Sequence, residues 1–293
     1  MQSEISIPVF KISASQCGKI MSGADGKSVK QRLEELRIEI ADREAKVAEM
    51  KPTLKTYPKQ VEMLERRKSE YLELLPRENE PNLSKTCITY LRKWADEKIY
   101  KRRVEFTSKQ TDKGNVVEDV SIDYASIHLE WGLVSKNLER FHNEWAHGEP
   151  DLVLENEVPD IKSSYTHETF PLYSPELENK DYEWQDLVYQ WLTGIKKGSI
   201  VFVLTSMPDE MIRKEARFSK QLSEGYTEQE YEEFAEQFRY DDLPPYLRIK
   251  QYDVEYSEEK IEAIKTRVNE CRKYIETVLI PEVEKNFKKF NKA

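Results

Sequence analysis

At 293 residues the chain is long enough for one large domain, or one domain with a substantial insertion. Its formal charge of −9 speaks against indiscriminate binding to a polyanion, because that affinity comes largely from basic side chains releasing counterions. Cys17, Cys87 and Cys271 are far apart and odd in number, which excludes a disulfide framework, a CxxC metal site and a four-cysteine iron–sulfur cluster, and suits a reducing cytoplasm.

The opening Met1-Gln2-Ser3-Glu4 lacks the basic start of a signal peptide, and no later stretch nears the ~18 apolar residues of a membrane span. Gly26-Lys27-Ser28 looks like the end of a phosphate-binding loop, but the first glycine of that motif would fall on Met21, so ATP binding is not expected. From Leu33 to Leu75 apolar residues follow a heptad stripe among charges, interrupted by Pro52 and Pro58. This predicts a helical hairpin, with helices over 28–50 and 59–74 and a turn through Lys51 to Pro58, packed within the chain rather than forming an oligomer seam. Pro76 to Asn82 reads as a linker. Residues 85–113 hold nine basic and four acidic side chains, a local excess in an acidic protein, and Arg102, Arg103, Lys109 and Lys113 are its candidates for contacting a polyanion. Tyr90, Trp94 and Tyr100 sit at helical spacing and are expected in the core.

Beyond that stretch, a helix leading into Ile122, Ala125, Ile127 and Leu129 is expected to carry Glu118 in its first turn. Pro150-Asp151 precedes Leu152-Val153-Leu154, the polar Glu155-Asn156-Glu157, and then Val158 to Lys162, which reads as strand, turn, strand. Asp160 and Lys162 share one face of the second strand and Ile161 takes the other. Pro159 cannot donate to a ladder, so it should lie at a sheet edge, a strand start or a bulge. Tyr165 to Asp181 lacks periodicity and reads as a long loop that includes His167. Tyr182 to Thr193 then forms a helix stopped at Gly194, and Ile200 to Leu204 a buried strand. Met211 to Tyr240 looks helical, Arg248 to Tyr256 alternates as a strand, and Ser257 caps a long C-terminal helix with Lys260, Lys265 and Lys273 exposed.

Two carboxylates and an ammonium gathered on such a hairpin suit metal-dependent cleavage of a phosphodiester. Hard divalent cations take one or two carboxylates plus phosphate oxygens and waters. The ion activates water, and a neighbouring lysine stabilises the charge that develops on phosphorus.

A helix with Glu, a strand with Asp, a strand with Asp-x-Lys and a helix with Gln, in that order, resemble the core of the PD-(D/E)XK nuclease superfamily. Within it, the chain resembles the phage-type exonucleases related to lambda exonuclease and the YqaJ group, with Phe10 to Met21 similar to their opening Thr-Ala-Ser helix. The resemblance implies an α/β (α+β) fold, in which a central mixed sheet flanked by helices forms a restriction-endonuclease-like core with an inserted helical hairpin and a long C-terminal helix. The parts would be an N-terminal segment (1–27), the hairpin and linker (28–82), the nuclease core (83–256) and the C-terminal helix (257–293). It makes Glu118, Asp151 and Asp160 the metal-site carboxylates, although Asp119 adjoins Glu118. Lys162 becomes the catalytic lysine, Ile161 a carbonyl ligand and Gln185 the glutamine after the catalytic strands. Ser15 becomes a terminal-phosphate contact, with Lys11 as the nearby basic residue.

The expected activity is hydrolysis of duplex DNA by a Mg2+-dependent exonuclease, with Mn2+ as an alternative ion, in phage-type recombination or DNA processing. A single-strand annealing protein and a homo-oligomer are the implied partners, in the host cytoplasm and away from membranes. A structure-specific endonuclease on the same site and an inactive nuclease fold used for DNA binding or assembly are the alternatives. A coiled-coil adaptor is a third, resting on the hairpin alone.

Overall fold

The computed structural model describes residues 7–23, 27–104, 108–222 and 225–290, so Gly26 of the phosphate-loop comparison lies outside the described residues. The chain divides into two compact units, one of residues 1–10, 19–102 and 266–293, the other of 11–18 and 103–265. These cut across the four-part division drawn from the sequence.

Helix α1 is the short Cys17–Met21; in the first unit, Ser28 caps helix α2 (Val29–Glu49) through a capping box with Gln31, and α3 (Tyr57–Leu74) returns against it. The turn is shorter than expected because Pro58 falls in the first turn of α3, where a missing N–H costs nothing. Only Leu33, Leu36 and Leu64 of the heptad stripe are buried. Arg32 bridges Glu39 at 2.9 Å and Glu70 at 2.7 Å between the two helices. Ser84 caps α4 (Lys85–Tyr100). Trp94 and Tyr90, expected in the core, are half-buried and pack on buried Phe10 in edge-on contacts, whereas Tyr100 is exposed. The chain's last helices are α9 (Glu258–Tyr274) and α10 (Ile280–Phe290), joined by a π-turn over Ile275–Leu279. Pro281 has no N–H to return to the preceding turn, which accounts for this break in the single helix expected.

The second unit holds two mixed three-stranded sheets. In the first, β1 (Ile12–Ser13) pairs in parallel with β3 (Ala146–Gly148), and β2 (Phe141–His142) pairs antiparallel with β3. In the second, β4 (Val158–Ser163) pairs in parallel with β5 (Lys197–Val203), and β6 (Ile249–Glu255) antiparallel with β5. The segment Leu152–Leu154 is not a strand, so the expected hairpin is corrected to one strand preceded by a turn in which the Leu154 N–H meets the Glu157 carbonyl. The long helix expected over 211–240 is two short ones, α7 (Asp209–Phe218) and α8 (Glu228–Ala235).

Strand alternation gives the β4–β5–β6 sheet two different faces. Ile161, Val201 and Val203 point to α5 (Lys109–His128) and pack with its Ile122 and Ala125. Ile200 and Val254 point to α6 (Lys180–Thr193) and pack with its Leu187. Asn179 caps α6, and Gly194 ends it at φ +79°, the left-handed backbone that glycine adopts freely. Gly198 lets α6 lie close to β5: a Cβ there would meet Asp186 Oδ2 at 1.8 Å.

Candidate active site

Strand β4 lies at the sheet edge, and its two sides are used differently. Asp160 and Lys162 are in register with Ile200 and Phe202 on the face towards α6. The Ile161 N–H points off the free edge, where the Asp151 carboxylate accepts it at 2.8 Å. Pro159, two residues earlier, turns its missing N–H to the same free edge, so the proline costs no ladder bond. Asp151 follows Pro150 in an irregular turn and takes the place a neighbouring strand would occupy.

Glu118, Asp151, Asp160, Ile161, Lys162 and Gln185 all line one cavity of about 420 Å³ that wraps this edge. Glu118 approaches from α5, on the Ile161 side. Asp160 and Lys162 stand on the α6 side, and Asp151 sits between. Asp119 is exposed and does not line the cavity, whereas its neighbour Glu118 does. Glu118 stands in the middle of α5, not in its first turn, because Ser108 caps the helix ten residues earlier through the Thr111 N–H. Its carboxylate accepts a hydrogen bond from Lys136 at 2.5 Å. The edge also separates the acids: among the described residues no three His, Cys, Asp or Glu side chains form a group that could hold an ion. All three expected carboxylates nonetheless line the one cavity: Asp151 is bonded to the Ile161 N–H beside Asp160, and Glu118 faces the cavity from α5.

Asp160 is 1% exposed. Lys162 Nζ lies 2.6 Å from its Oδ2, and the two form an ion pair. Gln185 Nε2 lies 3.5 Å from Asp160 Oδ1 and donates to Tyr189 Oη at 3.0 Å. Burial works against the Lys162 ammonium, but the charges of Asp160 and Asp151 outweigh it and hold its pKa above the usual lysine value. The Tyr182 ring backs the ammonium at 4.8 Å. Asp151 is partly open to solvent but closely surrounded by protein. Burial first, and then the charge of Asp160, push its pKa up to about 8.

These features fit a hard divalent cation. Two carboxylates that repel one another, one of them only 1% exposed, relax when a cation lies between them. Asp151, Asp160 and the Ile161 carbonyl, which points off the same edge as the Ile161 N–H, make an all-oxygen donor set.

The expected DNA contacts fare unevenly. Lys113 is corrected: it is fully buried, and its Nζ donates to the carbonyls of Ser164 at 2.8 Å, Tyr165 at 3.0 Å and Thr205 at 2.7 Å. Lys109 is paired with Glu215 at 2.7 Å, and Lys11 donates to the Asn143 carbonyl at 2.6 Å. Lys260, expected to be exposed, is half-buried and ion-paired with Glu183. Arg102 and Arg103 are exposed, and Ser15 lies 3.3 Å from the Ser13 hydroxyl at the start of the chain's first sheet. Lys136, Tyr182 and Tyr189 were missed by sequence reasoning. Tyr189 had a signal, since it follows Gln185 by one helical turn, but Lys136 had none, lying in an irregular stretch.

No protein-family model and no curated protein matches the chain. Solved structures do. A phage-related exonuclease from Haemophilus somnus 129PT superimposes with a TM-score of 0.63 at 21% identity, over 94% of this chain and 97% of that one. An alkaline exonuclease, LHK-Exo from Laribacter hongkongensis, superimposes with a TM-score of 0.53 at 11% identity, over 96% and 95%. The same enzyme in complex with dAMP gives 0.52 at 12% identity, over 96% and 94%. Over nearly its whole length, then, this chain has the fold of the phage-type exonucleases that its Asp-x-Lys strand resembles.

Proposed function

We propose that the protein is a metal-dependent exonuclease that hydrolyses phosphodiester bonds of duplex DNA. The observation that carries this reading is the edge strand β4, on which Asp160 and Lys162 share one face while Asp151 grips the Ile161 N–H beside them, all in one cavity. The fold shared with two exonucleases, one of them solved with dAMP, supports it.

Asp151, Asp160 and the Ile161 carbonyl would hold the ion. A bound Mg2+ or Mn2+ neutralises charge on the phosphate and activates water. The chain's own groups do the rest. Lys162, kept protonated by its acids, orients the attacking water and stabilises the negative charge that grows on the phosphate oxygens. Gln185, held by Tyr189, steadies Asp160 from the α6 side. Glu118 supplies a further carboxylate from the opposite wall. A role in phage-type recombination, beside a single-strand annealing protein and as a homo-oligomer in the host cytoplasm, belongs to the same proposal through the resemblance.

The test incubates linear and covalently closed duplexes with Mg2+, with and without chelator, using wild type and Lys162→Ala. Metal-dependent loss of linear DNA alone, abolished in the variant, is expected. Nicking of the closed circle would favour the endonuclease reading. No cleavage of either substrate, or equal cleavage by the variant, would remove the nuclease assignment.

A further inference from the structure

One wall of the cavity is a single face of α5, formed by Gln110, Thr111, Gly114 and Asn115, with Glu118 a turn further on. Gly114 is anomalous there. Glycine in a helix interior is unfavourable, and it is normally justified by close packing or a left-handed backbone. Neither applies: its φ is not positive, and a Cβ built on it meets nothing within 4 Å outside its own helix. The glycine leaves bare backbone facing open cavity.

The chemistry of the wall is neutral. Gln110 and Asn115 offer amide donors and acceptors, and Thr111 a hydroxyl. Ser164, across the cavity and 5% exposed, has a hydroxyl oxygen with no hydrogen-bond partner among the described residues. Among the residues lining the cavity, Lys162 is the sole cation. Lys162 is therefore the group that meets a phosphate, and the neutral wall suits an uncharged polar group. The wall is also fixed in place: Lys113, beside the glycine, turns inward and ties α5 to the carbonyls of Ser164, Tyr165 and Thr205.

We infer that this face of α5 is a nucleoside subsite, taking the sugar and base of the nucleotide whose phosphate lies at Lys162, with Gly114 as its floor. The inference rests on the nuclease reading and adds where the nucleoside lies. Gln110 and Asn115 meet its polar edges, and the missing side chain at 114 makes the room.

Gly114→Leu separates this role from folding. Leucine is a good helix former and meets no obstacle, so Tm should rise by about 2 °C. Binding of thymidine 5′-monophosphate and of inorganic phosphate is then measured by calorimetry for both proteins. Wild type should bind the nucleotide at least tenfold more tightly than phosphate, and Gly114→Leu should lose that increment while binding phosphate as before. Equal nucleotide affinity in both proteins, or no preference for the nucleotide in wild type, would overturn the subsite. DNA digestion by the wild type is scored separately: an inert protein refutes the nuclease reading, whereas a nuclease whose Gly114→Leu variant binds the nucleotide unchanged refutes only the subsite.

Discussion

The Asp151 carboxylate accepts the Ile161 backbone N–H at 2.8 Å, so one acid is fixed by the backbone that carries the other. This relationship gives Asp151 two separable duties, as an edge cap for β4 and as a charge in the cavity. Asp151→Asn keeps an oxygen for the N–H and removes the charge. DNA cleavage should fall about 10²–10³-fold with Tm no lower than wild type. Asp151→Ala also orphans the N–H and should cost about 1–2 kcal/mol in denaturant unfolding.

Lys162 is the counter-charge of nearly buried Asp160. Lys162→Ala leaves that carboxylate uncompensated, so it should lose about 3 kcal/mol of stability along with its activity. Adding Asp160→Asn to Lys162→Ala should recover most of the stability and none of the cleavage. A double variant as unstable as the single one would mean that packing, not charge, is what Lys162 contributes to the fold.

Asp186 offers a pH test away from the acids that would hold the ion. It is fully buried, and desolvation, ahead of the charges of Asp160 and Glu157, pushes its pKa up to about 8 from 3.8. A carboxyl whose folded pKa is raised stabilises the fold while protonated, and that contribution is lost as pH rises from about 4 through 8. Wild-type Tm should therefore fall between pH 5 and pH 9 relative to Asp186→Asn. The gap between the two should be smallest near pH 4 and widen as pH rises, with the variant several degrees higher at pH 9. Parallel pH profiles would show that Asp186 is ionised throughout.

Lys113 and the exposed arginines separate fold from DNA affinity. Lys113→Met removes three hydrogen bonds to buried carbonyls and should lower Tm by about 4–10 °C, without changing the slope of log K against log salt for duplex binding. Arg102→Ala and Arg103→Ala should leave Tm within about 2 °C. Each should reduce that slope by about 0.9 if its guanidinium meets a phosphate. An unchanged slope in both would remove the basic stretch from the DNA path.

What could be foreseen was local. The two-residue period placed Asp160 and Lys162 together, Gly194 marked the end of α6, and Ser257 marked a helix start. Pro159 limited β4 to an edge, a strand start or a bulge, and the strand is at an edge. Where expectation failed, the competing contact was distant in sequence. Lys113 belonged to a basic stretch by composition, yet three carbonyls beyond residue 160 draw it inside. The bond from Lys136 to Glu118 likewise joins residues 18 apart and had no signal in the sequence.

The sequence alone determined which side chains share a face and where the punctuating residues fall, because alternation, caps and glycine stops act within a few residues. Only the tertiary structure decided that β4 is an edge strand, that Asp151 fills the missing neighbour's place, and that the α5 wall is left bare at Gly114. Those depend on which strand lies next to which and on which helix covers each face, and both are set by packing between residues tens of positions apart.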